Sequence, residues 1–171
     1  ERGKDLADRT LIAFGGAGPL HAGRLAEKLG ITRIIVPANP GVGSAVGFLS
    51  MPVSYEVVQS RYMLLSRFRA AEVDAVLAGL TATAEAVVAS AAPDRPRTIR
   101  RTALMRYMGQ GHEVEIALPD GPVSAATADA LRDAYGVRYA ELYGRAMTAG
   151  EIEILTWTVT VATRREAVSP V

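Results

Sequence analysis

Three glycines among four consecutive positions in Phe14-Gly15-Gly16-Ala17-Gly18, followed by Pro19, Leu20 and His21, make this segment the part of the chain most suited to ligand chemistry. An apolar run, Leu11 to Phe14, enters the turn and a helix leaves it, so unpaired backbone N–H groups collect where an anion or nucleotide can approach. Glycine permits that approach where a side chain would block it. Two phosphate-binding patterns are excluded. Read from Gly16, the dinucleotide fingerprint puts His21 where a small residue must allow helix–strand packing, and no acid ends the following strand. No Gly-Lys-Ser or Gly-Lys-Thr follows the glycines either. A tight turn using glycine for packing alone stays open as the alternative to nucleotide contact. His21, in the first turn of the expected helix, reads as a neutral histidine bonding the glycine turn or a neighbouring lobe, or as a direct substrate or nucleotide contact.

Other reactive side chains are more scattered. His112 and Glu113 are adjacent in an expected strand and so point to opposite faces, which argues against an acid–base pair. Glu113 and Glu115 share a face, read as its solvated side. Arg106 and Gln110 flank an expected hairpin tip, where they suit a carboxylate or amide, or docking against another lobe or subunit. Ser44 has no base beside it in sequence. Arg95, Arg97, Arg100 and Arg101 form a basic run read as a solvated connector rather than a phosphate patch. Tyr135, Tyr139 and Trp157 read as core or interface aromatics.

Composition narrows the function classes. With 171 residues, 49% hydrophobic and 22% charged, disorder and collagen-like structure are out. Nineteen basic against eighteen acidic residues leave a formal charge of +1, and no bulk positive field argues for nucleic acid or an anionic membrane. The absence of cysteine removes disulfides, cysteine–zinc sites, iron–sulfur ligation and thiol nucleophiles. With two histidines and no dense carboxylate cluster, no metal site is expected within the chain. No uninterrupted apolar run approaches the roughly 20 residues that span a bilayer, and Glu-Arg-Gly-Lys-Asp opens no signal peptide; a cytoplasmic location is the expectation.

The elements that must position these groups follow from periodicity. Leu11–Phe14 and Arg33–Val36 read as buried strands around a helix that Pro19 starts and Gly30 stops, a parallel strand–helix–strand unit. Two strands and a helix leave edges and faces that other chain or a partner must cover; with no initial methionine, a fragment is expected. Residues 37–44 are turn-rich, Ala45 to Leu49 is a short apolar helical turn, and Val53 to Met63 is a strand or connector. A soft boundary near residue 60 divides the chain into 1–60 and 61–171. The second part is expected to be α+β, with two helices and about three strands. Val73, Val76, Leu77, Leu80, Ala84, Val87 and Val88 give helical spacing, with Ser66 as a candidate cap. Residues 98–107 and 113–118 form a hairpin around Gly109-Gln110-Gly111. A helix over 124–143 aligns Leu131, Tyr135, Tyr139 and Leu142 and stops at Gly144. The closing strand, 151–161, shifts phase after Ile154, predicting a bulge near Ile154 and Leu155.

The segment Leu11 to Ala22, then Ile34-Ile35-Val36-Pro37 and Pro40-Gly41-Val42-Gly43-Ser44-Ala45-Val46-Gly47, resembles the late part of the hydantoinase A/5-oxoprolinase family, which includes ATP-dependent N-methylhydantoinases and subunits of acetone carboxylases. Met105 to Val114 resembles the family's Arg-Tyr-x-Gly-Gln-x-x-Glu signature, and Tyr135 to Gly144 lies where its Tyr-Gly helix end is expected. The resemblance covers essentially the whole chain but only the C-terminal portion of a family member. It implies the end of an actin/Hsp70-like ATPase lobe followed by a family-specific α+β domain. It further implies that Gly15, Gly16, Ala17 and Gly18 approach ATP beside its adenosine, with His21 near them, and that magnesium is held by residues outside this chain. The activity implied is ATP-dependent opening of a cyclic amide, hydantoin or 5-oxoproline in type, by phosphoryl activation; the alternative is a subunit-docking domain of an acetone carboxylase-type complex. The implied partners are an N-terminal ATPase region and a B-type subunit. The arginine that family members usually carry in the last strand is missing near Thr158.

Overall fold

The structure, a computed structural model, describes residues 5–145, 147 and 150–164. It falls into two compact units, the first ending at Met51 and the second running Pro52–Arg164.

In the first unit, β1 (Thr10–Ile12) pairs in parallel with β2 (Arg33–Ile35), and α1 (Gly18–Leu29) is the crossover between them. Pro19 sits at the start of α1, where its missing N–H costs nothing. Gly30 ends the helix in a left-handed conformation, φ 68°, and its N–H reaches the Ala26 and Glu27 carbonyls. The buried apolar residues here, among those described, are Ala13, Ala22 and Ala26. The expectation of fully buried strands therefore fails within this unit: Ile12, Phe14, Ile35 and Val36 are exposed on a sheet of two strands. A 3-10 turn over Pro40–Val42 leads into α2 (Gly43–Leu49), an apolar helix with no buried residue. Leu20 at 82%, Phe48 at 77% and Leu49 at 85% exposed are far outside what a finished core tolerates.

The second unit is one antiparallel sheet of four strands in the order β3 (Ser54–Leu64), β6 (Ile152–Thr163), β4 (Arg97–Tyr107), β5 (Val114–Ala117). The segment left open as strand or connector is thus a full edge strand. It pairs with β6, so residues 52–60 lie in the second unit and the chain divides after Met51 rather than near residue 60. The helices α3 (Ala70–Ala91) and α4 (Ala125–Tyr143) link β3 to β4 and β5 to β6. Because β3 and β4 both run antiparallel to the intervening β6, and β5 and β6 both run antiparallel to β4, the unit is two interlocked split βαβ motifs.

Its core matches the helical spacing. Val73, Leu77, Leu80, Ala84 and Val88 are buried, whereas Val87 is exposed. By length and composition α3 could cross a membrane; here one face covers the sheet. The cap expectation is corrected: Arg69, not Ser66, precedes α3, and Ser66 lies in a 3-10 turn over Leu65–Arg67. In α4, Leu131, Tyr135 and Tyr139 are buried, but Leu142 is exposed. Ser124 and Thr127 form a capping box, and Gly144 stops the helix at φ 70°. The predicted bulge is present. Leu104 pairs with Thr156 but Met105 pairs with Ile154, leaving Leu155 as the extra residue. Ile152 and Ile154 before it and Trp157, Val159 and Val161 after it therefore all reach the core.

Candidate functional site

The glycine turn between β1 and α1 is held from both sides. Ala13 N–H donates to the Ile35 carbonyl at 2.9 Å, extending the strand pairing, and Gly15 N–H donates to the Pro40 carbonyl at 2.7 Å. Gly15 has φ 96°, which a side chain resists, and a Cβ added to Gly15 or Gly16 would meet no atom within 4 Å. The space over the turn is open. Ala17 precedes α1 without a side-chain cap, and the first turn of α1 carries no acid, so the partial positive charge of that end is unanswered. A Cβ added to Gly18 would sit 3.9 Å from the Ala13 carbonyl carbon.

Gly15, Gly16, Ala17, Gly18 and His21 thus lie together on one turn and the first residues of one helix. His21 is exposed and makes no hydrogen bond among the described residues, to the turn or elsewhere. It borders an apolar cleft of about 270 Å³ between β1 and α1, shared with Phe14, Ala22 and Leu25. Ser44 lies on α2 and bonds no base among the described residues. No group of three or more His, Cys, Asp or Glu is placed to hold a metal ion among the described residues.

In the second unit the reactive side chains answer one another. Arg106 Nε donates to Glu153 Oε2 at 2.8 Å, and Tyr62 O–H donates to Glu153 Oε1 at 3.2 Å. Glu153 is buried, and its two oxygens are taken by these donors. The hydrogen bond to Glu153 is the main influence raising the Arg106 pKa, and desolvation followed by the same carboxylate raises that of Tyr62. Gln110 Nε2 donates to the Tyr139 hydroxyl at 2.9 Å, pinning the hairpin tip to α4. Arg106 and Gln110 therefore serve internal contacts.

His112 and Glu113 fall in the loop before β5, not on a strand, and both are exposed; the shared-face reading of Glu113 and Glu115 fails for the same reason. Glu115 pairs with Arg100 across β4 and β5. The basic run is structural: Arg101 donates to the Pro119 and Gly121 carbonyls, each at 2.8 Å, and Arg97 to those of Ala92 and Pro93. Tyr135, Tyr139 and Trp157 are core residues, with Tyr107 edge-on to Tyr135 and Tyr139 at 5.0 and 5.1 Å. The sequence reading missed Glu153, whose one signal is a carboxylate inside the apolar run Ile152-Glu153-Ile154.

Residues 1–57 match the family model described as hydantoinase/oxoprolinase. An uncharacterized protein of Methanocaldococcus jannaschii is 51% identical over 49 residues, 29% of this chain and 7% of that protein. The caprolactamase subunit alpha of Pseudomonas jessenii is 24% identical over 169 residues, 96% of this chain and 24% of its own length. Among solved structures, the ATP-dependent caprolactamase of Pseudomonas jessenii superposes with a TM-score of 0.75 at 22% identity, over 99% of this chain and 26% of that one. Nucleotide-free acetone carboxylase superposes with a TM-score of 0.78 at 26% identity, over 95% of this chain and 25% of that one. Both units of the fold are thus reproduced in these proteins. The chain spans about a quarter of the caprolactamase subunit.

Proposed function

We propose that this chain, whose residues 1–57 match the hydantoinase/oxoprolinase family model, belongs to that family and forms the C-terminal portion of an ATP-dependent cyclic amidohydrolase. One observation carries the reading: the turn Gly15-Gly16-Ala17-Gly18 is open above its backbone and backed by an uncapped helix end. These residues fit a nucleotide by close backbone approach, which the first side-chain carbon at Gly16 would obstruct. His21 and Phe14 border the apolar cleft beside the turn, suited to a flat, weakly polar group such as a nucleobase. Magnesium would be held by carboxylates of a longer chain.

An unstrained amide is a poor electrophile; ATP would pass its terminal phosphoryl group to the amide oxygen with release of ADP, and water would add to the activated carbon. The ring C–N bond would break with the nitrogen leaving as an amine, and hydrolysis would then release phosphate and the carboxylate. The contribution of this chain is to hold and orient the nucleotide at the glycine turn. The bond from Gly15 to Pro40 keeps the turn rigid for that purpose. Hydantoin or 5-oxoproline is the substrate type favoured, in a cytoplasmic enzyme that works with a B-type subunit. The test is ATP consumption by the full-length protein and its subunit with hydantoin, 5-oxoproline, caprolactam and acetone plus bicarbonate, following ring-opened product. ADP release coupled to an opened cyclic amide supports the reading; coupling to acetone alone would make it a carboxylase.

The second unit offers a separate reading as a docking domain, favoured by its self-contained core. Deleting residues 52–171 from the full-length protein separates the two: lost assembly with nucleotide binding intact indicates docking, and lost nucleotide binding indicates a role in the site. Alone, these 171 residues should show little or no ATP turnover.

A further inference from the structure

The second unit carries a groove that the nucleotide reading does not use. It has a volume of about 500 Å³ and lies at the C-terminal end of β3, lined by Tyr62, Met63, Leu64, Arg67, Phe68 and Arg69. Its floor is apolar and aromatic, and its charged lining residues are both arginines. Arg61 and Arg69 share one carboxylate, Glu72, while Arg67 makes no ion pair among the described residues. The nearby carboxylate Glu153 is sealed by Arg106 and Tyr62, and Glu151 accepts from the Ser66 N–H at 3.3 Å. Arg67, at the groove's rim, is exposed and keeps its charge without an ion pair among the described residues.

The groove continues a strand with a free side. β3 is an edge strand of eleven residues, paired on one side with β6 and on the other with nothing among the described residues. It contains no proline or lysine, the residues that usually protect such an edge, and Tyr55, Val58 and Tyr62 are exposed along it. A register shift between Ser60 and Met63 bends the strand where the groove begins. An extended edge that leads into an aromatic pocket rimmed by arginines fits an extended peptide with an apolar anchor and carboxylates.

We propose that β3 and the groove at Arg67 and Phe68 are a docking site for an acidic, extended segment of a partner protein. The test needs no ATP, so its failure is distinguishable from failure of the nucleotide reading. Fluorescence anisotropy of the intact protein would compare two labelled peptides of equal length sharing one phenylalanine, one rich in Asp and Glu and one rich in Lys. The acidic peptide should bind at about 0.15 M salt and weaken as salt rises, since exposed charges are then screened. Arg67→Glu, at an exposed residue without an ion pair, should weaken it about tenfold, with Arg67→Gln between, and hydrogen exchange should slow along β3. Equal binding of the two peptides, no binding of the acidic one, or no effect of Arg67→Glu would overturn the proposal. So would self-association of the protein through β3 in the absence of peptide.

Discussion

Gly15 N–H donates to the Pro40 carbonyl at 2.7 Å, which ties the glycine turn ahead of α1 to the Pro-Gly turn ahead of α2. Two stretches more than twenty residues apart in sequence thereby become one surface. Phe14 adds to the joint, lying 3.7 Å from where a Cβ on Gly43 would sit.

Gly15 adopts φ 96°, so Gly15→Ala should cost about 1–2 kcal/mol of stability through backbone strain alone, since its Cβ meets nothing. Urea unfolding of the full-length protein followed by its intrinsic fluorescence measures this. An unchanged midpoint would mean the turn is not held in this conformation.

Gly150 has φ 150°, and a Cβ there would sit 2.8 Å from Tyr107 Cδ1. The Tyr107 ring is buried and packs edge-on against Tyr135 and Tyr139, so yielding would disturb those contacts. Gly150→Ala should destabilise by about 2–3 kcal/mol, in the range of an overpacked core. Pairing it with Tyr107→Leu, which removes the obstructing ring, should recover part of the loss in a denaturation series.

Tyr135 is fully buried and its hydroxyl makes no hydrogen bond of good geometry among the described residues. Burial pushes its pKa up to about 12 from the ordinary 10.0, so the folded state favours the neutral phenol. The associated stability is complete below about pH 10 and is lost as pH climbs through about 12. Tyr135→Phe should flatten that alkaline decline. At neutral pH it should leave stability unchanged or raise it by about 1 kcal/mol, because an unsatisfied hydroxyl is removed from the core. Unfolding midpoints across the alkaline range give the answer.

The hydrogen bond from Gln110 to Tyr139 predicts a coupling of about 1 kcal/mol between Gln110→Ala and Tyr139→Phe in a double-mutant cycle. Additive effects would show that the hairpin tip is fixed by other contacts.

These relationships were unequally legible in the sequence. The helices over Val73–Val88 and Leu131–Tyr139 could be read because burial repeats at helical spacing, and the bulge at Leu155 because a strand that changes phase must absorb a residue. The turn at Gly15 was visible for the same local reason: glycines between a strand and a helix have few uses. Two features were not legible. Ser54–Leu64 alternates too weakly to declare a strand, since as an edge it buries little besides Met63 and part of Val57. The roles of Arg100, Arg101, Arg106 and Gln110 depend on partners between fifteen and forty-seven residues away, as with Arg100 to Glu115 and Arg106 to Glu153. Pairing at that distance is set by sheet register, which residue types alone do not disclose.

The central claim is that a nucleotide lies against the glycine turn, and Gly16 tests it most directly. A side chain there meets nothing within 4 Å, so Gly16→Leu should leave the fold intact while filling the space above the turn. The measurement is ATP affinity of the full-length protein by calorimetry, with unfolding midpoints as control. The account predicts a loss of at least about tenfold in affinity, roughly 1.4 kcal/mol, at unchanged stability. ATP binding as tight as in the unmodified protein would contradict it.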